Sequence, residues 1–582
     1  MASKANNSAG LRAVRSCTES KDPEAQSVLA PVRFQDKVSQ SLHEMKLEAM
    51  SRELEELRSK RDKNESATKT ESGFETSPYA DESVSPESSP NDFELSVETV
   101  VLFDTFIESS FAIDCFQGFA ELFLPQFPLI SPISIEHIYT HQPFLFWTVL
   151  IIVCSHLPGS PYDTLFAKLH NPYRRLLNQE ILDTPLPLHK IQALLFLCVW
   201  PLPVDSQPKD PSWLYVGIAI QAARFMGLDR EQPTPSLRSV GVASGTATAR
   251  MNTWIGCFYV GTALALHLGL RPPIDSELDF VTIQAYLDKK IVSHRFAAHV
   301  KIQIIVSKFS NLLVHDVDEA TSTSLMRLMD TELDSLNSSL TEEDNEDGYK
   351  LERHILVVKL HFYAFLITKF RRESVAREIM LKTGLSTAIR IIDISTQPLP
   401  GSGWGKGDPE WIRRRRTLPK HYYLGLAFAT IFLIKFFHLN SAASKEERQS
   451  AACHIGLAQN VFKTCSIDPM DEYGRAARVF ELLAQLTADR VDAAKVRLTN
   501  RMGVSIVLDA ITTASEIRGQ PTEIGENQTL DEVKSGISGQ VGNIDPLQGV
   551  ESFMNDQDFI GGFWDDPLMG MLDIQSILPF SE

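Results

Sequence analysis

From about residue 93 to residue 518 the chain repeats one pattern: an apolar run with helical spacing, then a short break rich in Pro, Gly, Ser or acidic residues. QPFLFWTVLIIVCSHL (142–157), IQALLFLCVWPLP (191–203) and TLPKHYYLGLAFATIFLIKF (417–436) are such runs. SPYDT after Gly159, PLPVDSQPKDP (201–211), TPSLRSVGVASGTAT (234–248), TEEDNEDG (341–348) and QPLPGSGWGKGDP (397–409) are such breaks. Period-two alternation, the mark of a half-buried strand, is almost absent, and roughly fifteen helical segments fit the pattern. The expected fold class is all-α, a large multi-helix domain over 93–518 flanked by disordered N- and C-terminal tails.

The most apolar runs are too short to cross a bilayer. FLFWTVLIIVC (144–154) and IQALLFLCVW (191–200) are about half the length required, and YYLGLAFATIFLIKFF (422–437) meets Lys435. These are expected to be core helices, with no membrane partner. The formal net charge of −18 argues against a chain that coats nucleic acid through general basicity. Seven cysteines, Cys17, Cys115, Cys154, Cys198, Cys257, Cys453 and Cys465, are scattered without a CxxC, so reduced and mostly buried thiols are expected.

DPSWLYVGIAIQAARFMGLDR (210–230) is the best-punctuated segment. Asp210 is placed to cap a helix, Pro211 suits its first turn, and Gly227 suits a left-handed stop with Leu228 folding back. Leu214, Ile218, Ala222 and Phe225 fall on one face; Val216, Ala219, Ile220 and Ala223 cover most of the rest. The segment is expected to be wedged among other helices on nearly every side.

Taken with IQALLFLCVWPLP, this segment resembles the signature of the fungal transcription-factor middle homology region, the helical regulatory domain of Zn2Cys6 (binuclear zinc cluster) activators. LFLPQFPLI (122–130) is similar to the family's entry segment, and QPFLFWTVLIIVCSHL to its first long core helix. ARMNTWIGCFYVGTALALHLGLRPPI (249–274) resembles the Trp-bearing helix that leads to a Gly-Arg-Pro turn, here with Leu270 inserted between Gly269 and Arg271. The resemblance spans about 93–500. It implies a nuclear regulator of transcription, not an enzyme, with a possible small-molecule effector bound between helices. Family members hold two zinc ions with six closely spaced cysteines near the N-terminus. Cys17 is the single cysteine before Cys115, and one thiol cannot gather four sulfurs per ion, so no zinc is expected in this chain. Two readings follow. The chain is a truncated zinc-cluster factor, or it is a zinc-less co-regulator that forms a dimer with, or modulates, a complete DNA-binding activator.

Residues 1–92 are polar and expected to be disordered apart from one helix at 34–63. Leu47, Met50, Leu54 and Leu57 have the 3–4–3 spacing of a short coiled-coil seam, a candidate homodimer or heterodimer helix. Residues 519–582 are also expected to be disordered and to end in an activation segment. ESFMNDQDFIGGFWDDPLMGMLDIQSILPFSE (551–582) carries seven acidic residues and no Lys, Arg or His. Its acidic groups keep Phe559, Phe563, Trp564, Leu568 and Leu572 solvated and available to the grooves of transcription coactivators. A competing reading packs this tail back on the helical domain.

Other motifs are weaker. Arg413, Arg414, Arg415 and Arg416 form the densest basic cluster, a candidate import signal or alternatively the solvated end of a loop. GSGWGKG (401–407) lacks the spacing of a phosphate cradle, GVASG (241–245) has its serine one place late for a nucleophile elbow, and His141, His156 and His170 share no metal-ligand spacing. No catalytic or metal-ligand set stands out, and no DNA-contacting residues are legible.

Overall fold

The structure, a computed structural model, describes residues 91–204, 209–230, 245–314, 318–338, 345–370, 374–397, 407–440, 442–469, 471–484 and 501–519. The chain divides into Met1–Glu87 and Ser88–Glu582, and all the described residues belong to the second unit. Leu47, Met50, Leu54 and Leu57 lie outside the described residues, as do Phe559, Phe563, Trp564, Leu568 and Leu572.

Among the described residues the unit is all-α apart from one hairpin at its start. Strand β1 (Thr99–Leu102) pairs antiparallel with β2 (Thr105–Glu108), Thr99 opposite Glu108 and Leu102 opposite Thr105. Here the period-two signal is real but only four residues long: Val100, Leu102 and Ile107 are buried while Val101 and Phe106 are exposed. A run that short carries little weight beside the helical pattern that surrounds it.

Eight helices follow around a first hydrophobic core: α1 (Ser109–Gly118), α2 (Ile135–His141), α3 (Pro143–His156), α4 (Tyr162–Glu180), α5 (Leu188–Val199), α6 (Ser212–Phe225), α7 (Ala247–Leu268) and α8 (Glu277–Asp288). α3 begins on Pro143, whose missing N–H costs nothing in a first turn. Every residue from Phe144 to Cys154 is buried, as a helix that is apolar all round requires. Two polar pairs lie inside it: Thr148 meets the Tyr173 hydroxyl at 2.8 Å, and Gln192 donates to Thr253 at 3.0 Å.

Nine more helices build a second core: α9 (His294–Val314), α10 (Glu319–Ser338), α11 (Asn345–Lys369), α12 (Val375–Thr396), α13 (Pro409–Arg416), α14 (Lys420–Leu439), α15 (Lys445–Cys465), α16 (Glu472–Ala484) and α17 (Ser505–Gly519). α11 starts at Asn345, inside the acidic stretch read above as a break. α12 packs closely on α14 at Gly384, where an added Cβ would come within 2.5 Å of the Phe432 ring.

α6 corrects the sequence reading. Asp210 does serve its start, accepting from the Ser212 amide at 2.9 Å, and Gly227 ends it at φ +66 with Leu228 N–H returning to the Ala223 carbonyl. The helix is nevertheless one-sided. Val216, Ala219, Ile220 and Ala223 are buried, while Trp213, Leu214 and Phe225 stand exposed at 58%, 47% and 65%. Small residues on one face let it lie close against α5 and α7, and that close packing turns the bulky face outward.

Polar pins join the two cores. Lys420, at the start of α14, reaches Asp210 and Glu472, both at 2.8 Å. Trp200 donates its indole N–H to the Thr417 carbonyl at 2.9 Å, and Arg416 bonds the carbonyls of His156 and Cys465 and the carboxylate of Asp471. Of the described cysteines, Cys115, Cys154, Cys198, Cys257 and Cys465 are buried and Cys453 is exposed, and no disulfide joins them. Among the described residues no helix is long and apolar enough to cross a membrane.

Candidate functional site

The two cores do not close completely between α7, α9, α11 and α14. A small cavity lies there, lined by Ala263, Leu266 and His267 of α7, Gln303 of α9, Arg353, His354 and Val357 of α11, and His421 and Tyr422 of α14. Only about 10 Å3 of it can take the centre of a water molecule, room for roughly one water. Helical spacing puts these groups together: Ala263 and Leu266–His267 are one turn apart on α7, and Arg353, His354 and Val357 share a face of α11.

Five imidazoles gather around this space. His299 and His354 meet through their Nδ1 atoms at 2.8 Å, and the Gln303 amide nitrogen lies 2.9 Å from Nε2 of His354. Donation from Gln303 fixes His354 as the tautomer protonated at Nδ1, which then donates to His299. His361 Nε2 lies 3.3 Å from His267 Nδ1, and its ring stacks on Phe428 with centroids 3.8 Å apart. Tyr259 connects to His421 Nε2 at 3.3 Å. Burial lowers the His267 imidazole to about 4 and drives His354, His361 and His421 well below the ordinary range, so these four are neutral at pH 7.

Arg353 is the charged member. It is 5% exposed, and its guanidinium carbon sits 3.9 Å over the Tyr422 ring. Burial pulls it down to about 9, which leaves it cationic at pH 7. Several other buried cations have anionic or carbonyl partners. Lys190, Lys359, Lys420 and Lys435 each meet a carboxylate within 3.0 Å, and Arg250, Arg377 and Arg415 each donate to a backbone carbonyl. Among the described residues no carboxylate or carbonyl accepts from Arg353, and its Nε is buried without a hydrogen-bond partner, as are single nitrogens of Arg250, Arg415 and Arg475. Gln303 Oε1 and His361 Nδ1, nearby, are likewise buried and unpartnered. Leaving such groups unsatisfied costs on the order of 1–3 kcal/mol each, more for the charge.

This cluster was missed in the sequence because its members stand at 267, 299, 354, 361 and 421, on four helices. The one local signal is His354 and His361, two turns apart on α11. The candidates that were singled out fare differently. His156 is held by the Ile152 carbonyl at its helix end, burial lowering it to about 4. The four arginines end α13, where cations suit the helix C-terminus. Arg415 is buried against Trp411 and Arg416 is locked between the cores, while Arg413 and Arg414 remain half-exposed beside Glu410. In the folded chain the four do not present one continuous basic strip. GSGWGKG and GVASG lie almost wholly outside the described residues. Among the described residues, no group of three or more His, Cys, Asp or Glu is placed to hold a metal ion.

Comparison with known proteins finds that residues 117–314 match the fungal specific transcription factor domain, a stretch that contains α7 and ends with α9. The chain is 24% identical over 454 residues to the SEF1 protein of Eremothecium gossypii, covering 75% of this chain and 41% of that one. It is 26% identical over 280 residues to the transcriptional regulatory protein SEF1 of Candida albicans, 46% of this chain and 30% of that one. It is 27% identical over 194 residues to the transcriptional activator of proteases prtT of Aspergillus niger, 33% of this chain and 29% of that one. The chain therefore spans less than half the length of each. No solved structure matches it.

Proposed function

We propose that this chain is a nuclear transcription regulator of a fungus, whose helical body receives a signal and governs access to the acidic tail at 551–582. The observation that carries this reading is the fungal transcription factor domain at 117–314, within a likeness to SEF1 that extends over 75% of the chain. A sensing role for the body is supported by the small cavity at the junction of its two cores, where Arg353 stacks on Tyr422 beside neutral imidazoles. The tail supports an activating role through its composition, acidic groups interleaved with Phe559, Phe563, Trp564, Leu568 and Leu572. Coupled folding of such a segment on a coactivator gives modest affinity and fast exchange.

DNA is reached, on this reading, through a zinc-cluster module in the same polypeptide or through a partner factor that carries one. The spacing of Leu47, Met50, Leu54 and Leu57 favours a partner as a second reading, a co-regulator that acts by dimerising with a complete activator. Fusing residues 551–582 to an unrelated DNA-binding module tests the first reading. Reporter activation that is lost on replacing Phe563 and Trp564 by Ala supports it, and silence of the intact tail rejects it.

A further inference from the structure

We propose that the exposed face formed by α8 and the end of α6, edged by lysines of α9, is the docking site for the acidic tail at 551–582. The proposal rests on the regulator reading and names the surface through which the body restrains that tail. Leu278 and Val281 of α8 are 76% and 64% exposed, and Phe225 at the end of α6 is 65% exposed. Single apolar side chains in solvent are ordinary, but these adjoin one another. Arg224 bonds Asp279 at 2.9 Å, which brings their chain neighbours Phe225 and Leu278 to one place. Leu278 and Val281 stand three residues apart, on one side of α8.

A row of cations runs beside this face. Residues 289–293 join α8 to α9, and Lys308 lies over the Phe280 ring at 5.7 Å, so the two helices run antiparallel. Lys301 and Lys308 are seven residues apart, hence on one side of α9, and Lys290 stands at the junction; all three are exposed. From Lys289 to His315 the sequence holds five Lys and Arg and no Asp or Glu, in a chain of net charge −18. Of the carboxylates on α8, Asp279 is held by Arg224, and Glu277 and Asp288 stand at its two ends; Asp275, just before it, accepts from Asn311 at 3.3 Å.

The tail is the chemical complement of this surface. Asp556 and Asp558 precede Phe559, Asp565 and Asp566 follow Trp564, and Asp573 follows Leu572, with no Lys, Arg or His from 551 to 582. Aromatic and leucine anchors on Phe225, Leu278 and Val281, with the carboxylates between them on the lysine row, match both the apolar and the charged part of the face. A second copy seated there would bring two lysine rows toward each other, which disfavours that occupant. The tail also reaches. Arg501 abuts Gly269 at the end of α7, α17 (Ser505–Gly519) adds about 22 Å, and the stretch 520–550 spans up to about 100 Å when extended.

The test places the photo-cross-linker benzoylphenylalanine at Val281 of the full 582-residue chain, with Val375 of α12, 72% exposed, as the control position. Irradiation is expected to join position 281 to peptides of 551–582 in the same chain, and position 375 to none of them. Mixed isotope-labelled and unlabelled chains separate links within a chain from links between copies. Lys301→Glu combined with Lys308→Glu is expected to lower the yield of the tail link roughly 5- to 30-fold, as the loss of two exposed ion pairs implies. The melting temperature stays at the parent's value, because both lysines are on the surface. The proposal is overturned if position 281 links only to another copy or to no part of 551–582, if position 375 links the tail equally, or if the folded double variant keeps the full yield. The comparison of positions 281 and 375 needs no lysine variant, so the test survives a variant that fails to fold. Reporter assays separate this site from the reading beneath it. Links from position 281 to a tail that fails to activate when fused to a DNA-binding module uphold the docking site and count against the regulator, whereas an active tail without such links does the reverse.

Discussion

Lys420 shows how single residues hold this molecule together. Burial opposes its charge, but Asp210 and Glu472 outweigh that and raise it above the ordinary lysine range. Burial likewise works against the Asp210 carboxylate, and Lys420 and Ser212 more than offset it, holding the group below its usual value. The triad joins the loop before α6 to the starts of α14 and α16, three segments far apart in the chain. Replacing Lys420 by Met keeps the volume and leaves Asp210 buried without its cation. A loss of about 3–5 kcal/mol in chemical denaturation is expected; a loss below about 1 kcal/mol shows that the pair adds nothing net. This pin could not be read in the sequence, since nothing near Lys420 marks it as interior. The same holds for the arginine run, although there a signal existed: Trp411 and Arg415 are four residues apart and share the inner face of α13.

At the level of elements, the legible features were those written in local chemistry. The apolar runs at 142–157, 191–203 and 417–436 became α3, α5 and α14, and the stop at Gly227 took the left-handed conformation its position demanded. Gly269 is the parallel case at the end of α7. It sits at φ +65, and an added Cβ would lie 2.5 Å from the Arg501 carbonyl oxygen. Gly269→Ala is expected to cost more than the roughly 1–2 kcal/mol of a left-handed L-residue, because the segment before α17 must also shift. A melting temperature equal to the parent's contradicts that packing. The face of α6 was misjudged for a different reason. Apolar residues fall on nearly all sides of this helix, so periodicity cannot choose which side the neighbours take, and close approach at Ala219 and Ala223 decided it.

Over the whole molecule, the neutral histidines couple stability to pH. Their folded values lie below the unfolded value of about 6.5, His267 at about 4. Between those limits the unfolded chain binds protons that the folded chain excludes, so stability is full above about pH 6.5 and falls as the pH drops toward 4. Each such histidine contributes a slope of about 1.4 kcal/mol per pH unit in that window. The carboxylates held low, Asp210 among them, act only below their ordinary range and so leave this window to the imidazoles. Denaturation measured from pH 7 to pH 4.5 is expected to show the slope, and His421→Asn to flatten it; a level profile down to pH 5 refutes the assignment. The helical body was legible as a class of fold, but the cavity was not, because it arises where two cores meet and its residues share no stretch of chain.

The central claim is that the body restrains an acidic tail able to activate transcription. Reporter output from two fusions to one unrelated DNA-binding module, residues 551–582 and residues 93–582, tests it most directly. The account predicts strong output from the tail alone and markedly lower output when the body is attached. An inactive tail, or equal output from both fusions at equal abundance, contradicts it.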